Sequence, residues 1–265
     1  MSLQITAIPA FEDNYIWMLQ QPGTRNVAIV DPGDASVVLS SLQAQRVAIT
    51  DILITHHHPD HTGGILALRE HFPDARVYGP RNDLIKGLTH HVAENQRLCV
   101  LGMQFRVLEV PGHTLDHVAY FCDDFNLKPQ PIVLCGDTLF SAGYGRLREG
   151  APSQLLNSLH RFAQLPPETL VYCTHEYTVS NLRFALHVEP DNIACQQRLQ
   201  ECLSMRHQGL PTLPSTIATE LRTNPFLRCR SDELSVIIRT QFGPDHVSEL
   251  EVFTQLRRWK DGFTG

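Results

Sequence analysis

A chain of 265 residues, 42% hydrophobic and 19% charged, is long enough for one large globular domain or two modest ones and too apolar to be disordered. Its formal charge of −6, with both signs interspersed and no basic block, argues against nucleic acid as a partner. No apolar run reaches the ~18 residues of a membrane span, the first residues lack the pattern of a signal peptide, and seven cysteines without a CxxC pair read as reduced thiols, so the expectation is a cytoplasmic protein with no membrane contact.

The first two-thirds reads as short strands alternating with helices. Strands are predicted at Leu3–Pro9, Tyr15–Gln20, Val27–Val30, Ala48–Thr55, Arg76–Tyr78, Phe105–Val110, Val118–Phe121, Ile132–Leu134 and Leu170–Tyr172, where β-branched and aromatic residues cluster. Apolar residues at three- and four-residue spacing predict helices at Ala35–Gln45, Gly63–His71 and Ser153–Gln164, the last capped by Ser153. Residues able to do chemistry stand where strands stop: Asp31 after VAIV, His56 after ILIT, His113 after VLEVPG, Asp137 after IVLCG and His175 after LVYCT. Five such ends on one sheet edge would converge on a common site. Beyond His175 the pattern changes. Thr178–Val188 and Asn192–Met205 read as helices, LPTLPSTIATELRTNPFLR as a loop, and a last helix runs from Val247 to Lys260. A catalytic part at residues 1–175 and a small α-helical part at 176–265 are therefore expected. The second is nearly neutral, with 10 basic and 11 acidic residues, and the first more negative, with 12 and 17.

Of 14 histidines, 11 precede residue 176, and the densest group is Thr55-His56-His57-His58-Pro59-Asp60-His61. Divalent transition metals take neutral imidazole nitrogens and carboxylate oxygens. On extended backbone residues i and i+2 share a face, so His56 and His58 can hold one ion while His57 turns away. Asp60 and His61, past Pro59, can hold a second, and Gly63 and Gly64 would let the backbone turn sharply into the next helix. Two ions need further ligands, which the strand ends supply. The assembled set is His56, His58 and His113 on one ion, Asp60, His61 and His175 on the other, and Asp137 between them. The other histidines, including His57, His117 and His246, read as structural. Asp31 and Asp34 in VDPGD either orient a ligand histidine or cap the following helix.

These motifs resemble the metallo-β-lactamase superfamily. FEDNYIW, VDPGD, THHHPDHTGG, PGHT, GDTLF, THEYT, TNPFLR and the terminal RRWKD, in order over nearly the whole chain, are similar to the hydroxyacylglutathione hydrolase (glyoxalase II) family. The resemblance implies an α/β fold, a four-layer αββα sandwich followed by a small α-helical domain. It also implies a monomeric thioester hydrolase with two divalent metal ions, zinc first and iron or manganese as alternatives. Its reaction would be hydrolysis of S-D-lactoylglutathione to D-lactate and glutathione, the second step of methylglyoxal detoxification. Catalysis would fall to Asp137, His56, His58, Asp60 and His61, and glutathione binding to Arg146, Tyr177, Arg257 and Lys260. Another hydrolase of the superfamily, a lactonase or other thioesterase, is the alternative, with a non-catalytic metal-binding protein behind it. Pro59, Asp116, Tyr144 and Arg148 depart from common family residues, which leaves the shape of the substrate groove open.

Overall fold

The computed structural model describes residues 3–124, 130–243 and 248–264. The first half runs β1 (Gln4–Ala10), β2 (Asn14–Gln20), β3 (Asn26–Val30), α1 (Ala35–Gln45), β4 (Ala48–Leu53), α2 (Pro59–Thr62), α3 (Ile65–His71), β5 (Arg76–Pro80), β6 (His90–Val92), β7 (Arg97–Val100) and β8 (Met103–Glu109). It continues through β9 (Val118–Cys122), β10 (Ile132–Gly136), the hairpin β11 (Leu139–Phe140) and β12 (Gly143–Tyr144), α4 (Pro152–Ala163) and β13 (Leu170–Cys173). After these come α5 (Thr178–Val188), α6 (Ile193–His207), β14 (Ser215–Thr216), α7 (Ile217–Thr223), α8 (Asp232–Phe242) and α9 (Glu249–Asp261).

One sheet has the order β1-β2-β3-β4-β5-β6 and the other β14-β13-β10-β9-β8-β7. Strand β2 shows why they stack. Tyr15, Trp17 and Leu19 enter the core shared with the second sheet, whereas Ile16 and Met18 pack outward with Val38 and Leu42 of α1 and Leu68 of α3. Alternation with period two puts successive side chains on opposite faces, and apolar residues on both demand a cover on each side. On the far side of the second sheet, Leu155, Leu159 and Phe162 of α4 close the core. The result is the four-layer αββα sandwich.

Several expectations change. The five strand ends do not share one sheet edge. Asp31 and His56 follow β3 and β4 of the first sheet, while His113, Asp137 and His175 follow β8, β10 and β13 of the second. They converge because the two sheets face each other. Helix α4 is capped at Ala151 rather than Ser153, with Pro152 in the first turn. Gly63 and Gly64 have ordinary helical angles. Their need is close approach, since a Cβ on Gly63 would lie 2.7 Å from the Gly33 carbonyl oxygen and one on Gly64 2.5 Å from that of Pro32. The stretch read as a loop after α6 contains β14 and α7. Strand β14 pairs antiparallel with β13, so the helical part contributes a strand to the second sheet. Val247, the expected start of the last helix, and His246 lie outside the described residues; from Ser248, a capping box starts α9. Among the described residues the cysteines form no disulfide, and only Cys99 is exposed. Among the described residues no helix is long and apolar enough to cross a membrane.

Candidate metal centre and its cavity

Beyond β4 the chain bends at His56, is extended at His58 and then enters α2, with Pro59 in its first turn, where the missing N–H costs nothing. The His56 and His58 rings point together, with His56 Nε2 and His58 Nδ1 3.0 Å apart. His113, from the loop between β8 and β9, brings Nε2 to 3.0 Å from the same His58 Nδ1. Beside this trio, His61 Nε2 lies 3.5 Å from Asp60 Oδ2, and His175 Nε2 lies 3.5 Å from the same oxygen. Asp137 stands between the two groups: Oδ1 is 3.5 Å from His61 Nε2, while Oδ2 is 3.5 Å from His113 Nε2 and 3.2 Å from His175 Nε2. All seven expected ligands thus meet in one cluster, and His56/His58/His113 and Asp60/His61/His175 are each close enough to hold one ion.

The remaining ring nitrogens test whether a metal fits. His113 Nδ1 donates to the Arg146 carbonyl at 2.7 Å, His175 Nδ1 lies 2.8 Å from Asp13 Oδ1, and His61 Nδ1 3.0 Å from Asp31 Oδ2. The Thr55 hydroxyl donates to Asp31 at 2.8 Å and accepts from His56 Nδ1 at 3.1 Å. In His56, His113 and His175 Nδ1 therefore holds the proton outward, leaving the Nε2 lone pair facing the cluster, as a metal-binding tautomer requires, and His61 turns its Nδ1 to Asp31 in the same sense. Burial, followed by neighbouring imidazoles, pushes His56 well down and His58 down to about 4; burial also lowers His113, so these three are neutral at pH 7. Burial would lower His61 and His175 too, but Asp137 together with Asp31 at His61, and with Asp13 at His175, outweighs it and raises both, and burial of Asp137 is likewise outweighed by those imidazoles. A cation would displace those protons. His61 Nε2 and Asp137 Oδ1 are buried with no hydrogen bond, which is costly for polar atoms unless something charged completes them. The donor set fits divalent metal ions.

The residues with two readings divide cleanly. Asp31 orients His61 and receives the Thr55 backbone N–H, whereas Asp34 caps α1 through Ser36. His117 is outside the donor groups, yet its ring stacks on His56 at 4.6 Å and its Nε2 accepts from the Asp137 backbone N–H. Two supporting residues were not singled out from the sequence: Asp13, which holds His175, and Asn14, which donates to Asp60 Oδ2 at 3.0 Å. Asp13 ends the turn between β1 and β2 and Asn14 opens β2, and the FEDN composition marks a turn but does not say which distant side chains it meets.

A cavity of about 770 Å³ opens over the cluster, its floor formed by His58, Asp60, His113, Asp137 and His175. Arg146, Arg148, Tyr177, Arg257 and Lys260 all line it. The Tyr177 ring stacks on His175 at 4.8 Å. Burial and the nearby carboxylates Asp13 and Asp137 raise its hydroxyl, so it stays protonated. The Arg257 guanidinium sits 5.5 Å over the Tyr144 ring, which is itself stacked on Phe253. Tyr144 therefore serves as a shelf beneath Arg257. Lys260 Nζ contacts Asn181 Oδ1, and burial plus the charges of Arg257 and Arg146 push it down to about 7.

Residues 11–175 match the metallo-β-lactamase superfamily and residues 176–263 match the hydroxyacylglutathione hydrolase C-terminus. A protein of Xanthomonas campestris named hydroxyacylglutathione hydrolase is 48% identical over 261 residues, covering 98% of this chain and 99% of its own. The chain belongs to the hydroxyacylglutathione hydrolase family. Another protein of that name, from Pseudomonas aeruginosa, is 49% identical over 262 residues, covering 98% of this chain and 100% of its own. A solved structure, ETHE1 from Myxococcus xanthus, superposes with a TM-score of 0.64 at 26% identity, over 97% of this chain and 99% of its own. In this hydroxyacylglutathione hydrolase family member, the match changes from one description to the other directly after His175.

Proposed function

We propose that the chain hydrolyses S-D-lactoylglutathione to D-lactate and glutathione, using two divalent metal ions. The observation that carries this is the juxtaposition of two metal-sized donor groups, with Asp137 between them at the cavity floor, and a basic wall formed by Arg146, Arg257 and Lys260. The names of relatives about half identical over their full lengths support the same reading. His56, His58 and His113 would hold one ion, Asp60, His61 and His175 the other, and Asp137 both. Mixed nitrogen and oxygen donors suit zinc first, with iron and manganese compatible. When bound, such ions polarise the thioester carbonyl and lower the pKa of water towards neutrality.

The chain's own residues do the rest. Asp31, Asp13, Thr55 and the Arg146 carbonyl hold the imidazoles in register. Arg257, Lys260 and Arg146 grip the carboxylates of the tripeptide, and Tyr177 donates a hydrogen bond that aligns the thioester over Asp137. Water adds to the carbonyl carbon, the C–S bond breaks with its electron pair going to sulfur, and the glutathione thiolate leaves without an acid because its thiol pKa of about 8.5 makes it a weak base. Of the two protons of the water, one ends on that sulfur and one passes to solvent as lactate forms. On this reading residues 1–175 form the catalytic part and 176–265 the substrate-binding part. A monomer is the assembly this reading calls for, with the substrate held by this chain's own Arg146, Tyr177, Arg257 and Lys260.

A direct test incubates the metal-loaded protein with S-D-lactoylglutathione, a lactone and a penicillin. Rapid cleavage of the thioester alone is expected; preferential lactone cleavage would replace the assignment with the lactonase reading.

A further inference from the structure

His57 stands between two donors, yet its ring turns away from them. Its Nδ1 lies 3.0 Å from Asp116 Oδ1 and its Nε2 3.3 Å from Glu149 Oε1. Asp116 belongs to the loop that carries His113. Glu149 belongs to the segment after β12 whose Arg146 carbonyl holds the His113 ring. The network extends further: Asn82, beyond β5, donates to Asp116 Oδ2 at 2.9 Å, and the Leu115 backbone N–H donates to Glu149 Oε2 at 2.9 Å. The side chains of His57 and Asp116 are each only 11% exposed, so water competes weakly for these contacts.

We propose that His57, Asp116 and Glu149 form a clasp that fixes the spacing between the His56–His58 segment and the His113 loop, and thereby sets metal affinity at the three-imidazole group selectively. The proposal rests on the reading that this group holds an ion. These are positioning residues: none lines the cavity. His57, Asp116 and Glu149 lie close enough together to suggest a further cation site. However, the two carboxylates address different nitrogens of one ring, a bridging rather than a chelating arrangement. Selectivity follows from what the clasp does not touch. Asp60, His61 and His175 are steadied instead by Asn14, Asp31 and Asp13.

The experiment titrates zinc into Asp116→Ala, Asp116→Asn and the parent against a chromophoric chelator. It is paired with anomalous diffraction from crystals grown at limiting zinc. Asp116→Ala should weaken one of two ions by about 10- to 100-fold, as lost outer partners of metal ligands generally do. Diffraction should show the loss at the His56/His58/His113 position. Asp116→Asn, which keeps an oxygen for His57, should restore most of the affinity. Equal weakening at both positions, no weakening, or loss at the Asp60 side would overturn the clasp. A parent that takes up no ion would sink the metal reading and the clasp with it. Should Asp116→Ala fail to fold, Glu149→Gln, whose side chain is 37% exposed, should give a smaller shift with the same selectivity.

Discussion

Replacing Arg257 with alanine separates substrate binding from chemistry. The residue is 9% exposed, and its guanidinium lies over Tyr144 at the cavity wall. One hydrogen bond between charged groups contributes about 1.5–3 kcal/mol, which at ~1.4 kcal/mol per tenfold raises KM by roughly 10- to 150-fold. The lost pair with Asp261, whose side chain is 52% exposed, costs folding little, and any larger loss comes from the buried stem packed over Tyr144. Turnover should stay within a few-fold, since Arg257 lies on α9 and makes no contact with the donor cluster. Steady-state kinetics on S-D-lactoylglutathione would resolve the two parameters. Arg257→Lys should fall between, retaining charge but losing the planar fork. A collapse of kcat at unchanged KM would refute this reasoning, because it would place the guanidinium in the transition state rather than in ground-state binding.

Asp137→Asn should lower kcat by several hundred-fold or more, on the scale of losing a principal electrostatic element; near-normal turnover with both ions retained would remove Asp137 from its bridging role. Lys260, pushed down to about 7 by burial and by Arg257 and Arg146, carries its charge below that pH and loses it above. KM should therefore rise as pH passes upward through 7, and a Lys260→Met variant should lose that dependence; a KM that falls over the same range would contradict the assignment. Asp13→Ala should weaken metal binding at the Asp60/His61/His175 group by about 10- to 100-fold, with activity restored by excess zinc. Unchanged zinc affinity in a competition titration would show that His175 needs no such partner.

Much of the architecture is legible because local patterns and tertiary demands agree. Helix α1 runs over the predicted Ala35–Gln45, where Asp34 supplies a cap and the Val38 and Leu42 side chains face the core. The metal-sized groups are legible because His56, His113, Asp137 and His175 stand at strand ends and HxHxDH packs His56, His58, Asp60 and His61 into six residues. The shortfalls have physical causes. Strands β6 and β7 are short, and the exposed residues His90, His91, Arg97 and Cys99 interrupt their apolar character. Helix α7 hides in a threonine- and proline-rich stretch because Thr216 acts as its cap, a local bond that composition alone does not distinguish from a turn. Helix α8 lies outside the predicted elements, although Ser231, Asp232 and Glu233 form an ordinary helix start. Asp13 and Asn14 escaped because their partners lie 162 and 46 residues away, and such contacts are decided by packing rather than by spacing.

Metal content followed against activity decides the matter. Protein stripped with a chelator should be inactive and should regain S-D-lactoylglutathione hydrolysis as two equivalents of zinc bind per chain. Full hydrolysis in the metal-free protein, or ions bound away from Asp137, would contradict it.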